Sequence, residues 1–136
     1  MPAKKAPDTK STSGKAKAGN KILIVEDERP LAHALELKFG HEGFVTTTCI
    51  NGLEALEVAK KNKFDMILLD LIMPQMDGFT FMEELDVKKK KIKVIILSNL
   101  GQEEDRIRAQ ELGAVGYFVK SNTPITQIIK TVKAAL

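Results

Sequence analysis

Lys21-Ile22-Leu23-Ile24-Val25-Glu26-Asp27-Glu28 runs from a continuous branched apolar stretch straight into three acids. An apolar run of this length without alternation fits a strand buried on both faces of a parallel sheet. Such a strand delivers Glu26 and Asp27 at its C-terminal end. A helix is expected next, with Pro30 tolerated in its first turn and Leu31, Ala34, Leu35 and Lys38 at one-face spacing. Leu37 and Phe39 widen that stripe and predict a helix covered on more than one side, ended by Gly40 and Gly43.

The same alternation repeats along the chain. Phe44 to Ile50, rich in threonine, reads as a second strand broken by Asn51-Gly52, and Leu53, Leu56 and Ala59 place a helix before the polar Lys60 to Lys63 stretch. Phe64 to Leu69 is the third strand and runs directly into Asp70. After the turn-rich stretch from Met73 to Gly78 comes a third helix packed through Phe79, Met82 and Leu85, then Lys88 to Lys91 as a solvated helix end or loop. Ile92 to Leu97 is the fourth strand, ending at Ser98; Glu103 to Leu112 is the fourth helix, and Gly116 to Val119 the fifth strand, ending at Lys120. Thr123 is expected to cap the last helix with Pro124 at its first position, followed by Ile125, Ile128, Ile129, Val132 and Leu136. Five strands alternating with five helices argue for an α/β fold whose parallel sheet is covered on both faces. Ligands are then expected outside the C-terminal strand ends.

Composition bounds the rest. A chain of 136 residues fits one ordinary domain. Cys49 is the only cysteine, which excludes an intramolecular disulfide. No apolar run is long enough to span a membrane or resembles a signal peptide, so a soluble cytoplasmic domain is expected. The formal charge of +3 resides in the N-terminal residues: positions 1 to 21 hold six lysines and one aspartate, leaving the remainder net acidic. Residues 1–20, rich in Lys, Ala, Gly, Ser and Thr, read as a disordered basic tail and residues 21–136 as the folded domain. Sequence-specific nucleic-acid binding is not expected from such a tail.

If neighbouring strands bring their ends together, Glu26, Asp27 and Asp70 share a cleft with the hydroxyl of Ser98 and the ammonium of Lys120. Carboxylates this close repel, and a hard divalent cation such as Mg²⁺ resolves the conflict. Glu26-Asp27, Asp70 within Asp70-Leu71-Ile72-Met73-Pro74-Gln75-Met76-Asp77-Gly78, Ser98, and Tyr117 followed by Lys120 resemble the receiver domain of two-component response regulators, of the stand-alone chemotaxis-regulator-like type.

That resemblance implies a flavodoxin-like, doubly wound (βα)5 fold with a five-stranded parallel sheet in the order 2-1-3-4-5. Asp70 would be the phosphoacceptor, with Mg²⁺ held by Glu26, Asp27, Asp70 and the backbone carbonyl of Ile72. Lys120 would be the cation that pairs with Asp70 and then with the phosphoryl group, Ser98 the switch hydroxyl, and Tyr117 the aromatic whose burial changes on activation. The donor would be a sensor histidine kinase or a histidine phosphotransfer protein. A downstream protein would bind the face made by the fourth helix, fifth strand and fifth helix, where Arg106, Arg108, Tyr117, Lys120, Ile125 and Gln127 are candidates; phosphorylation-dependent dimerisation is the other association implied. Such a protein catalyses its own aspartyl phosphorylation and dephosphorylation and is not a conventional turnover enzyme. With nothing after Leu136, no output domain is expected.

Two positions depart from the family pattern. After the lysine these domains usually carry proline, whereas this chain has Ser121, and the usually small residue after the switch hydroxyl is Asn99. The alternative from another class is a phosphorylation-independent protein-binding scaffold with the same fold. No glycine-rich phosphate loop supports a nucleotide-binding domain.

Overall fold

The structure, a computed structural model, describes residues 19–136; the expected basic tail lies, except for its last two positions, outside the described residues. Five strands, β1 (Lys21–Val25), β2 (Val45–Cys49), β3 (Met66–Leu69), β4 (Val94–Ser98) and β5 (Gly116–Val119), form one parallel sheet in the order β2-β1-β3-β4-β5. The helices α1 (Arg29–His41), α2 (Gly52–Lys61), α3 (Gly78–Leu85), α4 (Glu103–Glu111) and α5 (Ile125–Ala135) connect and follow them. A one-turn helix at Val87–Lys90 and a 3-10 turn at Lys120–Asn122 complete the regular structure.

Period-two alternation divides the core into two layers. Ile22, Ile24, Met66, Leu68, Ile95 and Leu97 pack with Leu35 and Phe39 of α1 and with Ile128 and Val132 of α5. Leu23, Val25, Ile67, Leu69, Val94 and Ile96 pack on the opposite side with Ala55 and Leu56 of α2, Phe81 and Met82 of α3 and Ala109 of α4. Both faces of β1, β3 and β4 are therefore apolar, which explains their unbroken hydrophobic runs. The threonine-rich β2 is an edge strand, where half-exposed β-branched polar residues keep extended backbone without an apolar surface.

Local chemistry sets several helix ends. Asn51 accepts the Glu54 N–H at 2.8 Å to cap α2, and Asp77 accepts the Thr80 N–H at 2.8 Å to cap α3. Two expectations need correction. Only Ala32, Leu35 and Phe39 of α1 are buried, at steps of three and four; Leu37 lies across the axis and is exposed, so α1 is covered on one side. Thr123 does not cap α5: its hydroxyl donates to the Val119 carbonyl at 2.9 Å, closing the turn after β5. Pro124 is the capping position instead, with extended backbone and a carbonyl that accepts the Gln127 and Ile128 N–H groups.

The loop after β3 is tightly folded around a glycine. Gly78 N–H donates to the Leu71 carbonyl at 2.9 Å, and a side-chain carbon at Gly78 would lie 2.6 Å from the Asp70 carbonyl oxygen and 2.8 Å from Leu71 Cα. Backbone atoms cannot yield as the end of a flexible side chain can. Gly78→Ala is therefore expected to lower unfolding stability by about 1–3 kcal/mol, read as a lower urea midpoint with an unchanged slope.

Candidate functional site

Register brings the strand ends together. Val25 pairs with Leu69, so Glu26 and Asp70 leave adjacent central strands at the same level, and Asp70 N–H donates to the Val25 carbonyl at 3.0 Å. Ser98 pairs with Val119, which places Lys120 one residue beyond the level of Ser98 on the neighbouring strand. Parallel pairing thus collects four of the predicted site residues from four loops at one end of the sheet.

Glu26 and Asp70 are 2% and 4% exposed, while Asp27 faces solvent. One oxygen from each of these three carboxylates lies within 4.8 Å of the others. Asp70 uses both of its oxygens: Oδ1 accepts the Ile72 N–H at 3.2 Å and Oδ2 accepts from Lys120 Nζ at 2.9 Å. The Lys120 ammonium also donates to Glu26 Oε2 at 3.0 Å and Glu28 Oε2 at 2.6 Å. Burial alone would lower the pKa of Lys120, but its bonds to Glu28, Asp70 and Glu26 outweigh that and hold the pKa above its ordinary value. Burial has the opposite effect on Glu26, raising its pKa to about 7 with help from the nearby Asp70 charge, despite the Glu28 N–H and the Lys120 ammonium that favour ionisation.

These residues fit a hard cation. All three acids present oxygen, the donor type that Mg²⁺ prefers, and exposed Asp27 leaves one side open for retained water. A cation held there would compete with Lys120 for Glu26 and Asp70. Ile72 projects its apolar side chain to solvent, and the atom it gives to Asp70 is its N–H.

Ser98 is fully buried, and its Oγ accepts the Leu100 N–H at 3.3 Å. Tyr117 sits farther out. Its hydroxyl donates to the Leu100 carbonyl, and the Arg106 guanidinium carbon lies 4.9 Å from its ring centroid. Burial raises the phenol's pKa, with Asp105 adding to the shift, so it remains a donor. Tyr117 and Ser98 therefore hold the same loop residue through different atoms. Arg106 and Gln127 are exposed on the face expected for partners, whereas the Lys120 side chain points into the acidic cleft.

Cys49 is a buried core residue whose thiol burial pushes up to about 11, and His33 and His41 are exposed. Sequence reasoning missed Glu28 as a Lys120 partner. The usable signal was alternation: Glu26 and Glu28 are two residues apart, and their carboxylates meet on the same ammonium.

A family model described as the response regulator receiver domain matches residues 22–133. The transcriptional regulatory protein SrrA of Staphylococcus aureus is 38% identical over 117 residues, covering 86% of this chain and 48% of SrrA. The chain spans about half the length of the curated relatives it matches. Among solved structures, Vibrio cholerae chemotaxis protein CheY4 superimposes with a TM-score of 0.79 at 28% identity, covering 88% of this chain and all of that one. A chain in the CheX-CheY-BeF3-Mg²⁺ complex of Borrelia burgdorferi also gives 0.79, at 29% identity, covering 85% of this chain and 88% of its own.

The raised pKa of Glu26 predicts a pH signature. Its protonated form is favoured by the fold, so without divalent cation Glu26 contributes stability below its unfolded value of 4.5 that is lost as pH rises to about 7. A metal needs the ionised carboxylate, so apparent Mg²⁺ affinity should rise with pH over the same interval and level off above it. Thermal melts with Mg²⁺ or chelator at several pH values, on wild type and Glu26→Gln, check both statements; the variant should lose both trends.

Proposed function

The chain belongs to the response regulator receiver domain family of two-component systems, and from that membership we propose that Asp70 accepts a phosphoryl group from a histidine kinase or histidine phosphotransfer protein. The observation that carries this reading is the setting of Asp70. Its nearly buried carboxylate is oriented by the Ile72 N–H and the Lys120 ammonium, beside two further acids at the end of the central strands.

The transfer forms an O–P bond at Asp70 and breaks the P–N bond of a phosphohistidine, whose electron pair returns to the leaving imidazole. Two anions must approach one another, so charge cancellation dominates the barrier. Glu26, Asp27 and Asp70 are the residues that would hold Mg²⁺, together with the Ile72 carbonyl. When bound, Mg²⁺ supplies electrostatic stabilisation of the charge on the phosphoryl oxygens. The Borrelia burgdorferi complex, which holds BeF3 and Mg²⁺, supports applying that chemistry here. Lys120 exchanges its bond to Asp70 for one to the phosphoryl group, and Ser98 turns its hydroxyl from the Leu100 N–H toward the same oxygens.

Moving Ser98 releases Leu100, whose carbonyl holds the Tyr117 hydroxyl. The switch therefore has a route to the face of α4, β5 and α5. Exposed Ile107 and Val115 on that side, with Arg106 and Tyr117, line a groove of about 310 Å³ suited to a protein partner. A partner that prefers the phosphorylated arrangement raises its population by the same factor.

Incubation with Mg²⁺ and phosphoramidate should add one phosphoryl mass to the intact protein, and Asp70→Asn should abolish the gain. Chelation should abolish it as well. An unmodified wild type, with small donors and with a matched kinase, would replace the switch by a phosphorylation-independent scaffold.

Ile72 and Leu100 flank the acceptor with apolar side chains, one exposed and one half-buried. They hinder the placement of hydrolytic water. Changing both to asparagine should shorten the acyl-phosphate lifetime on the order of ten-fold, equivalent to about 1.4 kcal/mol of barrier, in a phosphate-release assay after donor removal.

A further inference from the structure

Asn99 and Ser121, the two departures from the family pattern, are bonded to one another. The Ser121 N–H donates to Asn99 Oδ1 at 3.2 Å, across 22 residues of chain. Asn99 directly follows Ser98 and Ser121 directly follows Lys120. One hydrogen bond therefore joins the loop bearing the switch hydroxyl to the turn bearing the mobile ammonium.

Each partner needs the other. Proline at position 121 has no N–H to give, and a small apolar residue at position 99 has no oxygen to receive it. The turn around Ser121 is built without a cis peptide among the described residues; Lys120–Asn122 forms a 3-10 turn, and the Thr123 hydroxyl fastens it to the Val119 carbonyl at 2.9 Å. That fastening gives the Ser121 N–H a fixed direction. On the other loop, Leu100 is already held by Ser98 Oγ and by Tyr117, and Gly101 passes close to Val119, where an added side-chain carbon would lie 3.4 Å from Cγ2. Asn99 thus meets Ser121 between two segments that are each tied down separately.

We propose that Asn99 and Ser121 are a positioning pair for phosphoryl transfer: their hydrogen bond sets the spacing of the two loops so that Ser98 and Lys120 reach the same phosphoryl oxygens. This rests on Asp70 being the phosphoacceptor. Neither side chain touches the reacting atoms. In receivers with proline at this place, ring rigidity shapes the turn; here a side chain from the neighbouring loop does so, and the two substitutions are functional only together. Small errors in the placement of reacting groups are costly, because alignment carries much of the rate in such sites.

The test uses the full chain, Mg²⁺ and phosphoramidate, with intact mass read against time over a range of donor concentrations. Modification of wild type at Asp70 establishes the underlying reaction; its failure would overturn the acceptor reading itself. Given that reaction, Asn99→Ala and Ser121→Pro should each slow the saturating rate by about three- to ten-fold, the effect of one lost hydrogen bond, with the half-saturating donor concentration unchanged. The double variant should be no slower than either single one, since both remove the same bond. Ser121→Ala keeps the N–H and should stay within about two-fold of wild type. Asn99 is exposed, so Asn99→Ala keeps the fold and decides the matter if Ser121→Pro does not. Wild-type rates in Asn99→Ala, multiplied defects in the double variant, or a Ser121→Ala as slow as Ser121→Pro would each overturn the pairing.

Discussion

The ammonium of Lys120 is the point on which this site balances. Parallel strands deliver Glu26 and Asp70 side by side into a nearly solvent-free position, where two carboxylates without a counter-charge would cost several kcal/mol. Lys120 arrives from the edge strand β5 and bridges both, with Glu28 as a third partner. The fold and the charge arrangement are therefore interdependent. Strand order brings the lysine within reach, and the lysine makes it tolerable for the strands to end in buried acid.

Much of this was legible because the signals were local and periodic. The unbroken apolar runs of β1, β3 and β4 announced strands covered on both faces, and each led into a polar residue at the point where a parallel sheet collects its ligands. Glu26, Asp27, Asp70 and Ser98 could be named in advance as candidates for that reason. What escaped notice depended on which way a group turned in three dimensions. Leu37 looked like part of the buried stripe, yet the helix presents it to solvent. Thr123 has the chemistry of a cap, but the Val119 carbonyl was a nearer partner for its hydroxyl. Asn99 and Ser121 stood out as unusual residues, while their mutual bond required the approach of two loops that sequence alone does not measure.

The rest of the proposed switch is a chain of contacts that leads from the Ser98 loop to the outer face. Ser98 Oγ accepts the Leu100 N–H, and in the proposed reaction the hydroxyl would turn to donate to a phosphoryl oxygen. Leu100 in turn holds Tyr117, which lies under Arg106 on α4. Such exchanges need little motion because the strands beneath them are close-packed and stay in place. The loops would then carry the proposed switching, and the sheet would supply the fixed frame against which it is read.

Charge counting explains why a lysine alone does not complete the site. Three carboxyl groups, from Glu26, Glu28 and Asp70, meet one ammonium, and Asp27 adds a fourth beside Glu26 and Asp70. With Glu26 protonated, as its raised pKa allows, the cleft still carries a formal excess of negative charge; with Glu26 ionised the excess is larger. In the proposed reaction an incoming phosphoryl group would add more. In the proposed transfer, a single positive charge that followed the phosphoryl oxygens away from Asp70 could not offset this throughout. A divalent cation on Glu26, Asp27 and Asp70 would offset most of that excess while freeing Lys120 to follow the phosphoryl group. On the proposed reaction, a cation that displaced Lys120 from Asp70 would free the ammonium for the phosphoryl oxygens, and Glu28, outside the candidate metal-binding trio and bonded to Lys120 at 2.6 Å, is the carboxylate that would keep it at the cleft.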